Sequence, residues 1–352
     1  MKFKSFSLNS DFYASLLKDL TLAKKKIYLE TYIYREDELG GKIKEILIEK
    51  ANQGVEVKLL MDAIGSVAIS EFNFINLILA GGTVNFFRRL LLIPFHLAKL
   101  NNRNHRKLAL IDDEIAYIGS SNLDQETSDW REFNLRIEDK KLNEVLSKIF
   151  IEQFLISNTL TMDNAKCTRI QNRDGIKILR SAPFVKNPIR EHFLKLISKA
   201  EKEIIIENPY VVFDKKIYRY FKNALNRGVK IKIILPTISD VGVMQYLNKK
   251  FVRRIRKIGI QIYFYPSMLH SKLFLIDKKE WMLGSANLDY RSMFTQFEIM
   301  LAGNDLEIKK LIQMHLDESL SRAKSFDEIN HKKLTLKEKV IGNLLYLVKF
   351  LF

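Results

Sequence analysis

The stretches NHRKLALIDDEIAYIGSSN (residues 104–122) and LHSKLFLIDKKEWMLGSAN (residues 269–287) repeat one pattern, with every fixed residue present at identical spacing in both. The pattern is a His, a Lys two residues later, and then an Asp, a Gly-Ser pair and an Asn. Its members are His105, Lys107, Asp112, Gly119, Ser120 and Asn122 in the first copy, and His270, Lys272, Asp277, Gly284, Ser285 and Asn287 in the second. Such a match indicates two equivalent half-sites.

Each copy predicts a buried strand followed by a tight turn. RKLALID and SKLFLID are short apolar runs that close on an Asp, and they are typical of buried strands. Since side chains two apart on a strand share a face, each His is expected beside its Lys, with the leucines on the opposite face. Gly119 and Gly284 each end a second apolar stretch and predict a turn that brings Ser and Asn back to the His-Lys face.

The duplication extends beyond the motifs. KKKIYLETYIY pairs with EKEIIIENPYV, and ANQGVEVKLLMD pairs with LNRGVKIKIILP. With 352 residues, of which 47% are hydrophobic, the chain is long enough for about two domains. The sequence therefore predicts an α/β fold in two similar halves, residues 1–165 and 166–330, and a basic amphipathic tail over 331–352. The polar stretch 157–175 is the expected junction.

These residue types suit the chemistry of a phosphodiester. Lys ammonium and Asn amide groups can hold its anionic oxygens. A neutral imidazole can attack phosphorus, and a second imidazole can protonate the leaving alkoxide. Neither clustered Cys residues nor a set with metal-ligand spacing is present, so we expect no metal and no cofactor.

A catalytic His usually needs a carboxylate on its other ring nitrogen. Asp112 and Asp277 are candidates for this role from within the motifs. Glu132 and Glu298 lie 27 and 28 residues after the first and second histidines, in WREFNLRI and TQFEIML. The near-equal spacing favours the glutamates as partners and the aspartates as structural supports.

At these residues the chain resembles the phospholipase D superfamily, whose hallmark is the HxKx4Dx6GSxN pattern. Within it the chain is similar to bacterial cardiolipin synthases, on the segments YLETYIYREDELGGKI, NNRNHRK, ENPYVV, NRGVKIKIILPTISD and GSANLDYRS. The resemblance runs from about residue 20 to about residue 325 and implies two α/β sandwich halves packed as a pseudo-dimer around one active site. PYVVFDK, where PYFVPD is more usual, departs from the pattern.

The resemblance also implies roles for the motif residues. His105 would be the nucleophile, forming a phosphatidyl-histidine intermediate, and His270 the general acid and then the base. Lys107, Lys272, Asn122 and Asn287 would hold the phosphate, with support from Ser120 and Ser285. The implied reaction makes cardiolipin from phosphatidylglycerol or a related donor. The alternatives are a phospholipase D-type lipid hydrolase, a metal-independent nuclease and a non-catalytic binding protein, of which intact motifs in both halves disfavour the last.

The charge and two apolar segments favour a membrane partner. A net charge of +17 implies an anionic partner, either nucleic acid or an anionic membrane. Residues 84–101 form an apolar stretch that could be a lip dipping into lipid or a core segment. Leu336 to Phe352 predict an amphipathic helix that lies on an anionic membrane or docks on the protein itself. These segments disfavour nucleic acid.

The same observations bear on localisation. The N-terminus lacks the apolar region of a signal peptide, no stretch is long enough to span a bilayer, and the lone Cys167 fits a reducing compartment. We expect a peripheral protein on the cytoplasmic face of the cell membrane, acting on a phospholipid substrate. The pattern leaves the oligomeric state open.

Overall fold

The computed structural model describes residues 1–88, 102–157, 171–173, 175–329 and 341–345. The predicted junction at residue 165 and most of the 84–101 segment and of the tail lie outside these ranges. Of the first segment, residues 84–87 belong to an edge strand of a sheet. Of the tail, residues 341–345 form helix that lies against Lys250, whose Nζ donates to Asn343 Oδ1 at 2.6 Å.

The first half is one mixed sheet with helices on both faces. Its strands in the described residues are β1 (Lys2–Leu8), β2 (Lys26–Thr31), β3 (Glu56–Asp62), β4 (Thr83–Phe87), β5 (Leu108–Ile111), β6 (Ile115–Gly119) and β7 (Arg131–Glu138). They pair in the order β1-β7-β6-β5-β2-β3-β4. The helices are α1 (Asn9–Leu22), α2 (Glu38–Asn52), α3 (Ile75–Leu79) and α4 (Lys140–Ile156).

The second half repeats this plan. Its strands in the described residues are β8 (Gln171–Arg173), β9 (Ile176–Ser181), β10 (Glu203–Glu207), β11 (Lys230–Pro236), β12 (Gln261–Tyr265), β13 (Leu273–Ile276), β14 (Glu280–Gly284), β15 (Glu298–Gly303) and β16 (Lys324–Ser325). The helices are α5 (Pro188–Lys199), α6 (Lys215–Asn226), α7 (Gly242–Arg256), α8 (Tyr290–Phe294) and α9 (Leu306–Arg322). The run β9-β15-β14-β13-β10-β11-β12 matches the first sheet strand for strand, with β8 and β16 added at the edges.

Alternating side chains explain why both sheets are covered on both faces. Leu108 and Leu110 of β5 point into the apolar layer between the two sheets, while Ala109 points toward the layer under α1 and α2. Leu273 and Leu275 of β13 enter the same central layer. That layer also holds α4 and α9, each begun by an aspartate that accepts from a backbone N–H three residues on, Asp139 from Leu142 and Asp305 from Ile308. The predicted α/β fold of two similar halves is confirmed.

The motif strands are shorter than the sequence indicates. β5 begins at Leu108 and β13 at Leu273, so His105 and Lys107, like their counterparts, lie in the segment just before a strand and not on it. Gly119 and Gly284 end β6 and β14, where a side chain would collide with the backbone of the neighbouring strand. A Cβ at Gly119 would lie 2.5 Å from the Phe133 carbonyl oxygen, and one at Gly284 would lie 2.3 Å from that of Ile299.

Candidate active site

The two halves meet through the segments that carry the histidines. His105 N–H donates to the Phe297 carbonyl at 2.9 Å, and Phe297 N–H donates to the Arg103 carbonyl at 3.0 Å. In the same way His270 N–H donates to the Arg131 carbonyl at 2.8 Å. Each histidine segment is therefore paired with the start of β7 or β15 of the opposite half.

Because of this pairing, each glutamate lies beside the histidine of the opposite half. Glu132 follows Arg131, and its Oε1 lies 2.7 Å from His270 Nδ1. Glu298 follows Phe297, and its Oε1 lies 3.0 Å from His105 Nδ1. Both carboxylates are buried, at 1% and 0% exposure. The glutamates thus lie beside the histidines, and each one contacts the histidine of the other half, a choice of partner that the sequence spacing does not specify.

The motif aspartates lie elsewhere. Asp112 Oδ1 accepts from the backbone N–H of Lys25 at 2.7 Å, and Asp277 Oδ1 accepts from that of Lys202 at 2.7 Å. Each caps the turn after its strand with positive φ, 51° and 53°. Both carboxylates hold backbone that leads into β2 or β10 and contact neither histidine, a placement that suits structural supports better than catalytic partners.

The motif serines also differ from expectation. Ser285 Oγ donates to Glu298 Oε2 and accepts from Ile299 N–H at 3.0 Å. Ser120 Oγ accepts from Phe133 N–H at 3.1 Å, and both serines are 0% exposed. They therefore fix the strand that carries each glutamate, a placement that suits a supporting role better than direct contact with phosphate.

The lysines and asparagines surround the histidines. Lys107 Nζ donates to the His105 carbonyl at 2.8 Å, and Lys272 Nζ donates to that of His270. Both lysines are nearly fully buried. Asn122 and Asn287 line the same cavity as the two histidines, which has a volume of about 450 Å³. The structure thus brings together the His, Lys and Asn residues of both motifs.

Two further buried carboxylates, which the sequence interpretation missed, bind the segments that carry the histidines. Glu30, in β2, accepts from Asn104 Nδ2 at 2.8 Å, next to His105. Glu207, in β10, accepts from Ser271 Oγ, next to His270, and lies 2.6 Å from His315 Nε2. Glu30 and Glu207 stand at matching places in LETYIY and IIIENPY, so the internal repeat was the signal available for them. His315, which the sequence assigned to no motif, is a buried structural residue.

Aromatic rings complete the walls. The Tyr32 ring meets the His105 ring edge to face with centroids 5.0 Å apart, and Trp130 meets His270 at 5.6 Å. Trp130 lines the cavity, whereas Trp281 is fully buried in the core between the sheets. One tryptophan near the motifs is therefore part of the cavity wall and the other is part of the core.

Burial sets different charge states on the two histidine–glutamate pairs. Burial, with the nearby charges of Lys107 and Lys272, holds the pKa of His105 well below its usual value. Burial raises the pKa of its partner Glu298 to about 8. Burial also acts to raise the pKa of Glu132, but His270, Lys272 and Ser120 together outweigh it and the pKa of Glu132 lies below its usual value. The His105 pair therefore tends to be uncharged, while Glu132 is an ionised carboxylate beside His270.

The lysine charges respond to the same environment. Burial lowers the pKa of Lys107 to about 7 and that of Lys272 to about 8. A bound phosphodiester would restore both charges, since an anion favours the protonated amine. Within the described ranges, no group of three or more His, Cys, Asp or Glu side chains is arranged to hold a metal ion.

Comparison with known proteins gives one family. A model described as cardiolipin synthase, PLD-like domain, matches residues 16–154 and 193–320. The major cardiolipin synthase ClsA of Bacillus subtilis is 30% identical over 349 residues, covering 94% of this chain and 71% of the relative. Cardiolipin synthase 1 of Staphylococcus aureus is 28% identical, covering 99% and 73%.

Two further curated relatives are covered over 66% and 64% of their own length. The chain therefore spans about two thirds of the length of the curated relatives it matches. Among solved structures, phosphatidylserine synthase of Haemophilus influenzae superposes with a TM-score of 0.80 at 14% identity, covering 99% of this chain and 95% of that one. At that identity the likeness establishes the fold.

Proposed function

Because the chain belongs to the cardiolipin synthase family of phospholipase D-like proteins, we propose that it is a phosphatidyltransferase that makes cardiolipin from phosphatidylglycerol through a phosphatidyl-histidine. The observation that carries this proposal is the pairing across the halves. One histidine from each half faces a single cavity, and each is held by a buried glutamate of the other half. Such a site has one group to attack and another to move the proton.

In the first step His105 attacks the phosphorus of the donor lipid. Its Nδ1 is turned to Glu298, so Nε2 is the nitrogen that carries the attacking lone pair. A P–N bond forms, the P–O bond to glycerol breaks, and His270 gives its Nε2 proton to the leaving oxygen. Lys107, Lys272 and the two cavity asparagines hold the anionic oxygens during this exchange.

In the second step the hydroxyl of another phosphatidylglycerol attacks the same phosphorus. His270, now neutral, takes the hydroxyl proton, the new P–O bond forms and the P–N bond breaks. Cardiolipin leaves and His105 returns to its starting form. Water in place of the lipid hydroxyl would give phosphatidic acid, so the outcome depends on which acceptor reaches the cavity.

The electrostatics support this division of roles. A nucleophilic imidazole must be neutral, and the lowered pKa of His105 keeps it so. A proton donor needs a stabilised imidazolium, and the ionised Glu132 at 2.7 Å supplies the partner for His270. Exchanging the roles would place the proton donor beside a glutamate whose pKa is about 8.

The test is direct. Purified protein is incubated with phosphatidylglycerol vesicles, and the products are identified by mass spectrometry. Cardiolipin and glycerol in equal amounts are expected, and His105→Ala and His270→Ala should abolish both while still binding vesicles. Phosphatidic acid as the sole lipid product would make the protein a hydrolase and overturn the proposal. Cleavage of nucleic acid, with lipid inert, would make it a nuclease.

We further propose that the protein docks on an anionic membrane through an apolar patch beside the cavity. The patch consists of Val67, Phe72, Ile75 and Leu79, which are between 48% and 87% exposed. Its segment packs on the cavity wall: Ser66 Oγ donates to the carbonyl of Tyr32, a cavity-lining residue, at 3.2 Å. Exposed apolar clusters on soluble domains are typical of lipid or protein contacts. The net charge of +17 favours an anionic surface. No helix in the described ranges is long and apolar enough to cross a bilayer.

A double variant tests the patch. Phe72→Ser with Leu79→Ser should weaken co-sedimentation with phosphatidylglycerol vesicles and slow turnover on them. Turnover of a short-chain, soluble phosphatidylglycerol should not change, because the cavity is untouched. Leu306→Ser is the matched control, since Leu306 is 74% exposed outside the patch. Equal vesicle binding by the double variant and the control would show that the patch does not contribute to membrane binding.

A further inference from the structure

Two arginines line the cavity, and they differ in their ion pairs with carboxylates. Arg35 Nε donates to Asp124 Oδ2 at 2.8 Å and lies 4.0 Å from Glu126, so its charge is balanced. Arg291, in α8, forms no ion pair with the described residues. Its Nη2 reaches the amide oxygen of Gln296 at 3.2 Å when that amide is oriented to satisfy its hydrogen bonds. The Arg291 guanidinium is therefore a cation of the cavity whose hydrogen-bond partner is a neutral amide.

The nearby carboxylate does not change this. Asp289, two residues before Arg291, accepts from Ser292 N–H at 2.8 Å and so caps its own helix. Burial raises the pKa of Asp289, which favours its neutral form. The positive charge of Arg291 thus remains available to an anion in the cavity.

The position of Arg291 is one side chain beyond the reacting centre. Arg291 and Tyr32 line the same cavity, the charge of Arg291 acts on the Tyr32 phenol, and the Tyr32 ring meets the His105 ring at 5.0 Å. The ammonium of Lys107 lies on the same ring, 5.5 Å from its centroid. Arg291 therefore stands outside the set of His, Lys and Asn residues that would hold the reacting phosphate, but next to it.

The internal repeat shows which residue of the first half occupies the place equivalent to Arg291. The motifs are offset by 165 residues, since His105 corresponds to His270, and by that offset Arg291 corresponds to Glu126. Equivalent places on the two sides of the cavity therefore carry opposite charges, a cation on one side and a carboxylate on the other. An anionic group adjacent to the reacting phosphate would be attracted to one side and repelled from the other.

Transfer to a second phospholipid requires such a place. The attacking hydroxyl of a phosphatidylglycerol acceptor is one glycerol unit away from that lipid's own phosphodiester, which is anionic and takes no part in the chemistry. We propose that Arg291 binds this non-reacting phosphodiester of the acceptor, as a second phosphate subsite that favours anionic acceptors over water. A guanidinium fork suits two phosphate oxygens at once. The inference rests on the proposed transferase function.

Competition between acceptors measures the subsite. The protein is given phosphatidylglycerol vesicles with ethanol present, and the ratio of cardiolipin to phosphatidylethanol is measured by mass spectrometry. Both products arise from the same phosphatidyl-enzyme, so effects on the donor cancel. Arg291→Gln should lower this ratio roughly tenfold to a hundredfold, the usual effect of losing charge-assisted hydrogen bonds. Arg291→Lys should lower it less, and Arg35→Gln should leave it within about twofold, since the Arg35 charge is already balanced.

A soluble assay separates this inference from the proposed function. A short-chain phosphatidylglycerol donor is offered glycerol and glycerol 3-phosphate together, two acceptors that differ by one phosphate. Preference for glycerol 3-phosphate in the unaltered protein, lost in Arg291→Gln, supports the subsite even if vesicles yield no cardiolipin. An unchanged product ratio in Arg291→Gln, with turnover lowered for all acceptors, would overturn the inference while leaving the transferase proposal intact.

Discussion

Replacing Glu132 by Gln tests the pairing of the glutamates across the halves. The change keeps the shape of the side chain but removes the charge that lies 2.7 Å from His270 Nδ1. A hydrogen bond to a buried charged group contributes about 1.5–3 kcal/mol. If that energy is realised when His270 is protonated, the rate should fall roughly 10-fold to 150-fold. Glu132 and His270 are both nearly buried, so solvent cannot replace the lost partner.

Asp277→Asn is the matched control, because it makes the same chemical change at the carboxylate inside the second motif. The Asp277 carboxylate accepts from the backbone N–H of Lys202 at 2.7 Å and of Glu203 at 2.9 Å. Its side chain is partly exposed, so we expect a loss of only about 1–2 kcal/mol of stability and a rate within about twofold of the unaltered protein.

The acid dependence of the control has a definite sign. Burial acts to raise the pKa of Asp277, but the backbone N–H groups outweigh it and the pKa lies below its usual value. A carboxyl with a lowered pKa stabilises the fold above its unfolded-state pKa, and this contribution is lost as pH falls through the folded-state value. Asp277→Asn should therefore lose stability at neutral pH and little at acid pH.

The assay is single-turnover cleavage of a short-chain phosphatidylglycerol, with unfolding by urea measured in parallel. The expected pattern is a slow but stable Glu132→Gln protein and a fast but less stable Asp277→Asn protein. If Asp277→Asn were the slower enzyme, or if Glu132→Gln kept its rate within about twofold, the assignment of the orienting carboxylate would be refuted.

Three further outcomes are expected. Affinity for a short-chain phosphonate analogue should fall as pH rises from about 7 to beyond about 8, because Lys107 and Lys272 lose their charges there; pH-independent inhibition constants would contradict this. His315→Ala should cost about 3–5 kcal/mol in urea unfolding, because it leaves Glu207 buried without its partner at 2.6 Å, and a cost below about 1 kcal/mol would show that the pair adds little. Gly284→Ala should lower the melting temperature, because Gly284 has a φ of 150° and an added Cβ would lie 2.3 Å from a backbone oxygen. Gly41→Ala in α2, where an added Cβ meets nothing within 4 Å, should not lower it, and equal melting temperatures would refute the packing argument.

The sequence by itself determined the fold class, the duplication and the candidate reacting side chains. These follow from local patterns: apolar runs closing on Asp, a motif repeated 165 residues later, and segments such as LETYIY and IIIENPY that pair between the halves. The resemblance to the phospholipase D superfamily rests on the same residues. Histidine, lysine and asparagine can be identified in this way because their chemistry is fixed by residue type and their spacing by one strand and one turn.

Only the tertiary structure decided which carboxylate serves which histidine. Glu132 and His270 are 138 residues apart, and His105 and Glu298 are 193 apart. Their contact comes from backbone pairing between the two halves, which leaves no trace in local periodicity. Since both pairings within a half and across the halves fit the same spacing, the sequence could not separate them.

The same reason applies to motif residues whose contacts the spacing does not reveal. Asp112 and Ser285 belong to the motif, yet one caps a backbone turn and the other holds Glu298. Arg291 lies in the segment GSANLDYRS, and the role proposed for it comes from its place in the cavity, where its counterpart in the other half is Glu126. A motif records which side chains are present, but the direction of each side chain and the charges around it depend on packing between residues that are distant in sequence.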